Sequence, residues 1–373
     1  MKNMFFTFIV AISLFPVPAF AHGTGEQYQR EMMMNSYVLI GSAILFALFL
    51  ILHFSAKNKV NSPVVKVYKW GWVLTLVGVL VTGGMYLWGN RSSGAADVTT
   101  LHHIHGLGYS SDGQRILIPA HDGLRVYSQG QWSIPETAKH DYMGFSMIDD
   151  GFYSSGHPAP GTKLKEPLGI VKSKDEGKTI ETLDLAGETD FHGMTASYKS
   201  HTIYAFTPAP NSKMKSKGLY YTKDETKTWT KSEMKGINED LSALAVHPTK
   251  DSVVALGTDS GVYLSKDYGQ NFEKILPDIQ VTSLSFDNEG ALYVGGLAEK
   301  PLLLRFDLET KKTGEIEIPT LKDDAVTYFT QNPVNKNELV FATYNKDIYL
   351  SGDKGVSWTK IADKGKGISQ SKH

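Results

Sequence analysis

At 373 residues the chain can bury a large core, and 21% charged residues with no low-complexity tract exclude intrinsic disorder. A formal net charge of -1 gives no electrostatic basis for a nucleic-acid partner, so none is expected. Cysteine is absent, which excludes a disulfide framework, a thiolate metal site and a cysteine nucleophile.

In chain order the first element is an apolar run from Met4 to Phe20, behind Lys2 and closed by Ala19-Phe20-Ala21. Small residues at the first and third positions before a cut are the pattern of a secretory signal peptide, here residues 1–21, leaving 22–34 as a short exported segment. Two further apolar runs, Ser36 to Ser55 and Trp70 to Trp88, lack Asp, Glu, Lys and Arg. At ~1.5 Å rise per residue each can cross ~30 Å of hydrocarbon, so 35–55 and 70–89 are predicted transmembrane helices. The loop between them, 56–69, carries Lys57, Lys59, Lys66 and Lys69 and no acid, which places it in the cytoplasm. Everything after the linker 90–100 is then extracytoplasmic, and the membrane is the first expected partner. Gly71, Thr75, Gly78 and Thr82 give the second helix a smooth stripe for hairpin packing.

From Leu101 the texture changes to short alternating β-rich runs broken by Gly, Pro, Asn and Asp. Four segments share one template: Ser173-Lys-Asp-Glu-Gly-Lys-Thr-Ile180, Thr222-Lys-Asp-Glu-Thr-Lys-Thr-Trp229, Ser265-Lys-Asp-Tyr-Gly-Gln-Asn-Phe272 and Ser351-Gly-Asp-Lys-Gly-Val-Ser-Trp358. Their starts are 49, 43 and 86 residues apart, and 86 is twice 43, so a unit without the motif falls around Arg305 to Lys312. The pattern is Ser-x-Asp-x-Gly-x-Thr-Trp, in which Asp175, Asp224, Asp267 and Asp353 accept backbone N–H bonds inside a tight turn. Gly supplies positive φ, and the closing aromatic plugs the blade core. Units starting near Leu101, His140, Asp190, Asp240, Gln280 and Asp324 give an all-β, six-bladed β-propeller over 101–363, with 364–373 as a C-terminal tail. A propeller closes its own sheet edges, so this one is expected to be monomeric.

These repeats resemble the Asp-box, or BNR-repeat, propeller superfamily of sialidases, xyloglucanase-type glycoside hydrolases, sortilin-like receptor domains and photosystem assembly factors. His102-His-Ile-His-Gly-Leu107, His121-Asp-Gly-Leu124, Asp141-Tyr-Met-Gly-Phe145, Ser155-Gly-His-Pro158 and Asp190-Phe-His-Gly-Met194 resemble membrane-anchored bacterial and archaeal exported proteins labelled glycosyl hydrolases. That resemblance implies a fold more firmly than an activity.

The innermost strand of each blade begins on the face that also carries the loop between its second and third strands. Aligned innermost strands put His105, Met143 and His192 at one level, with His103, Asp141 and Asp190 two residues earlier and His121 and His157 on the loops. All eight are expected at the axial mouth. Several imidazoles with a carboxylate suit Zn or Cu, and the Met143 thioether would favour copper; the bland alternative is that each His bonds a neighbouring blade's backbone. Two loops on the same face open with Pro-Ala-Pro and carry Lys163 and Lys165, and Lys213, Lys215 and Lys217, so they are expected to wall the mouth and to attract an anionic envelope glycan or a protein partner.

A metal-dependent binding or sensing module is the leading reading. A scaffold for assembling a membrane complex is the alternative that the tether and the assembly-factor resemblance imply. A glycoside hydrolase is the third, with Asp141 and Asp190 as the acid/base candidates. The sialidase mechanism is disfavoured, because the propeller holds only Arg115, Arg125 and Arg305.

Overall fold

The computed structural model describes residues 100–370. The leader, the short exported segment, both predicted spans, the basic loop and most of the linker lie outside the described residues. Among the described residues no helix is long and apolar enough to cross a membrane.

Six antiparallel sheets follow one another in chain order. The first holds β1 (Gly108–Tyr109), β2 (Ile116–Ala120), β3 (Gly123–Ser128) and β4 (Gln131–Ser133). The second holds β5 (Asp141–Ile148), β6 (Gly151–His157), β7 (Ile170–Ser173) and β8 (Glu181–Asp184). β9 (Met194–Ala196), β10 (Ile203–Thr207), β11 (Gly218–Thr222) and β12 (Thr230–Lys231) form the third. β13 (Ala243–Val246), β14 (Val254–Thr258), β15 (Gly261–Ser265) and β16 (Glu273–Pro277) form the fourth. The fifth is β17 (Gln280–Phe286), β18 (Leu292–Leu297), β19 (Pro301–Phe306) and β20 (Thr313–Glu315). The sixth adds a fifth strand: β21 (Val326–Gln331), β22 (Leu339–Thr343), β23 (Ile348–Ser351), β24 (Thr359–Asp363) and β25 (Lys366–Gly367). The six predicted blades are present. The stretch read as a tail from 364 instead extends the last blade, because β25 pairs with β24.

The core is divided among the seams. Successive side chains of a strand point to opposite faces, and both faces of every blade meet a neighbour. In β22, Leu339 and Phe341 face blade five while Val340 and Ala342 face blade one. That two-sided burial explains why the middle strands are near-continuous apolar runs. Hydroxyls on the innermost strands staple adjacent blades: Ser242 Oγ donates to Val281 O (2.7 Å), and Thr282 Oγ1 to Val326 O (2.7 Å). Blade six is joined to blade one by Leu101 N–H on Gly365 O (2.6 Å) and Gln370 N–H on Gly130 O (2.8 Å).

All four predicted turns have the expected chemistry. Asp175 Oδ1 accepts from Ser173 Oγ (3.0 Å) and Thr179 N (2.8 Å), while Oδ2 takes Thr179 Oγ1 (2.7 Å). Asp224, Asp267 and Asp353 repeat the pattern. In blade five, Asp307 instead caps a shorter turn by accepting from Glu309 N and Thr310 N.

One turn is strained. Gly177, Gly269 and Gly355 take φ of 83°, 79° and 86°, and the equivalent residue in blade three is Thr226 at 73°. A β-branched residue in this left-handed region costs ~1–2 kcal/mol. Thr226→Gly should therefore raise stability by ~0.5–1 kcal/mol after the extra unfolded-state freedom of glycine is deducted. Denaturant unfolding checks this, and a variant less stable than the parent would remove the strain argument.

Candidate metal centre at the axial mouth

His105 is set where the chain enters blade one, its N–H bonded to Pro119 O (3.0 Å) at the end of β2. His121 sits in the four-residue turn from Ala120 to Gly123. Gly123 has φ +104°, and a Cβ there would stand 3.1 Å from the Lys139 backbone, so the tight turn depends on glycine. Asp141 opens β5, and its side chain is only 7% exposed. The β2–β3 turn therefore hangs His121 over the first residue of the next blade.

Three ligand atoms converge there. His121 Nδ1 lies 2.6 Å from Asp141 Oδ2, and His105 Nε2 lies 3.5 Å from Asp141 Oδ1. One atom from each residue falls within 4.8 Å of the others. The His121–Asp141 contact is a close ion pair, whereas Asp141 Oδ1 and His105 Nε2 are buried without a hydrogen-bond partner. A buried carboxylate left in that state is costly unless a cation completes it. His103 flanks the group, its ring centroid 6.1 Å from His105 and 5.8 Å from His121.

Burial pushes His105 down to about 4, overcoming the opposing pull of Asp141, so its imidazole is neutral at pH 7. His121 is raised, first through its contact with Asp141. Met143 is buried two residues along β5, with its carbonyl accepting from Ser154 Oγ (2.8 Å).

The other predicted members form a separate group. His157, the last residue of β6, is the ladder partner of Asp141, so the two groups are neighbours. Its Nε2 lies 3.3 Å from Asp190 Oδ2 and its Nδ1 meets Glu166; His192 Nε2 lies 2.8 Å from the same Asp190 oxygen. The Asp190 contact raises His157 to about 9. Burial alone would raise Asp190, yet His157 and His192 hold it well below the usual carboxylate range. The single eight-residue patch of the sequence reading is thus two clusters. Each centres on an aspartate paired with histidine, and each leaves one carboxylate oxygen, Asp141 Oδ1 or Asp190 Oδ1, without a hydrogen-bond partner; the first group also leaves His105 Nε2 unpartnered.

Of the two hydrolase candidates, Asp190 is held below the usual carboxylate range, the opposite of what a glycosidase general acid needs, which leaves it only the base or nucleophile role.

The lysine loops also differ from expectation. The loop 208–218 is pinned by fully buried Met214 and by Asn211 Oδ1, which accepts from Met214 N (2.8 Å). Lys215 donates to Ser212 O (2.8 Å), Lys213 lies 3.9 Å from Asp184, and Lys217 stands over the Phe206 ring. From the loop 158–169, Glu166 reaches the mouth, where it meets His157 Nδ1. Sequence reasoning also missed Arg125. Its side chain is 1% exposed and donates to Asp122 Oδ2 (2.7 Å), anchoring the residue after His121. A charged residue inside the apolar run from Leu124 to Tyr127 was the available signal.

Below the mouth a central channel of about 550 Å³ runs between the innermost strands, with His105 and His192 on its wall. A second convergence, Asp149, Asp150 and His201, is balanced by lysines: Lys199 on Asp149 (3.2 Å), and Lys172 (3.6 Å) and Lys174 (3.5 Å) on Asp150. It is a brace between blades two and three. His247, likewise placed away from the mouth, accepts from Lys250 N (3.0 Å) through Nδ1, and burial lowers it to about 4.

Six sheets in a ring, four of them closed by the Ser/Thr–Asp turn, define an Asp-box β-propeller. Consistent with that class, the family model described as Sortilin, neurotensin receptor 3 (Sortilin-Vps10) matches residues 169–304, little more than a third of the chain. No curated protein matches by sequence. Among solved structures, YCF48 bound to a D1 peptide is 15% identical, covering 70% of this chain and 82% of that one, with a TM-score of 0.43. A gluconolactonase from Xanthomonas campestris is 11% identical, over 66% and 84%, at 0.48. An ancestral GH74 enzyme is 12% identical, over 72% and 40%, at 0.44.

Proposed function

We propose that the protein is a metal-dependent binding or sensing module, tethered to the membrane and displayed outside the cytoplasm. His105, His121 and Asp141 hold the ion, with the His103 ring flanking them. The observation that carries the reading is the convergence of His105, His121 and Asp141 ligand atoms within 4.8 Å of one another, with Asp141 Oδ1 and His105 Nε2 buried and without a hydrogen-bond partner. Two imidazoles and a carboxylate suit a divalent ion such as Zn²⁺ or Cu²⁺ and leave a coordination position for a ligand. Cu⁺ would need the thioether of Met143. The tether rests on the two charge-free runs and the lysine-only loop between them.

Elemental analysis of the full chain, loaded with Zn²⁺ or Cu²⁺ and desalted, is expected to find one ion per chain. Replacing His105 and His121 together by alanine should remove it, and His192→Ala should retain it, because His192 is committed to Asp190. Equal metal content in the double variant and the parent would reject the site.

A further inference from the structure

Five of the six seams are closed by the same device. Ile180, Trp229, Phe272 and Trp358 each directly precede the fourth strand of their blade and pack into the seam with the blade before. Trp132, in β4, does so for blades six and one without an Asp-box. The indoles also bond the neighbour's outer strand: Trp132 Nε1 donates to Ile361 O (2.9 Å), and Trp229 Nε1 approaches Asp184 Oδ2 (3.3 Å). Trp358 Nε1 donates to Glu317 O (2.8 Å), just past β20.

Blade five breaks the series. Its short turn at Asp307 ends on Lys312, which precedes β20 where the other blades carry an apolar plug. At this seam, between blades four and five, lies a cleft of about 480 Å³ with Leu264, Ile275, Phe306 and Leu308 in its wall. Ile275 is skipped by the register shift of β16 against β15, as Ile361 is in β24 against β23. The acceptor strand of the indole device is therefore present at this seam, and the indole is missing. Lys266 and Lys311 are exposed on the cleft's rim with no ion pair among the described residues; of the other charged groups lining it, Asp267 is bound within its own turn, Lys274 pairs with Glu239 and Glu273 is exposed.

We propose that this cleft docks an aromatic side chain, an indole above all, carried by an acidic segment of a partner protein. The partner's ring takes the place that Trp132 takes at the closing seam, its N–H meets the main chain of β16 at Ile275, and its carboxylates meet Lys266 and Lys311. Buried aromatic anchors ringed by charge are the usual hot spots of such contacts. The inference is independent of the metal centre.

The probe is the peptide amide acetyl-Glu-Trp-Asp-NH₂, titrated into the full chain and followed by calorimetry. It should bind at least ~10-fold more tightly than the same peptide with alanine for tryptophan, since a desolvated aromatic anchor is worth more than 1.4 kcal/mol. It should also outbind the tryptophan peptide flanked by lysines. Leu308→Trp, which fills the cleft from within, should abolish binding. Lys266→Glu with Lys311→Glu changes only exposed positions and should weaken binding by ~10-fold or more, so the test survives if Leu308→Trp misfolds. Equal binding of the tryptophan and alanine peptides, or binding untouched by both variants, overturns the proposal.

Discussion

Asp141→Asn is expected to weaken Zn²⁺ or Cu²⁺ binding by ~100-fold or more while the metal-free protein melts close to the parent. Removing a partner of a metal ligand already costs about 10–100-fold, and Asp141 is proposed as a ligand itself. Asparagine keeps the shape of the side chain and can still meet His121 Nδ1 as a neutral hydrogen-bond partner, so only the ionic part of that contact is lost. The pH dependence has a definite sign. His105 is lowered to about 4 by burial and is already deprotonated at neutral pH, so it releases no proton on binding. His121 is raised above its ordinary 6.5 and must lose a proton before it can ligate. Affinity should therefore fall as pH drops through that raised value, with a proton released per ion bound wherever His121 is protonated. In Asp141→Asn the fall should move to lower pH, because the ionic contact that raises His121 is gone. Calorimetry in buffers of different ionisation enthalpy measures the proton count; an affinity flat from about pH 6 to 8 would contradict a histidine ligand of this kind.

Trp358→Ala should destabilise the propeller by ~2–4 kcal/mol, the lower part of the range for aromatic truncation. The sequence expectation of a fully buried plug is corrected here, since Trp358 is half-buried at the rim of the seam. Its ring packs edge-on against Phe341, with centroids 4.7 Å apart at 73°, and its Nε1 bonds Glu317 O. The loss combines apolar contact, an aromatic pair and an acceptor on blade five left unpaired. Asp353→Ala should cost less, because the exposed carboxylate organises one turn rather than a seam. The Ser357 hydroxyl, with other bonds, holds Asp353 down to about 2. That contribution to stability is present above the ordinary carboxylate range and lost as pH falls through about 2. Denaturant unfolding checks both variants; if Trp358→Ala unfolds with the parent, the seam role of the indole is wrong.

Periodicity alone determined the blades. A turn that needs Ser, Asp, Gly and a closing apolar residue at fixed spacing leaves a local signature, and four copies set the register of the ring. The unit without the motif was legible by subtraction, because 86 residues hold two repeats. The face shared by His103, His105, His121, His157 and His192 followed from the same alignment, since strand direction alternates through each blade. How those side chains pair depends on distances between blades, which no local pattern encodes. Only the tertiary structure brought His121 onto Asp141 and turned His157 and His192 toward Asp190, dividing the patch into a group around Asp141 and a group around Asp190. It also folded Lys215 and Lys217 back onto their own loop and blade and set Lys213 beside Asp184 of blade two. The open seam shows the same limit: the missing plug at Lys312 can be read from the repeats, but the cleft exists because β16 of the preceding blade stands there and blade five lends only Phe306 and Leu308 to its wall, with no apolar residue at 312 to fill it.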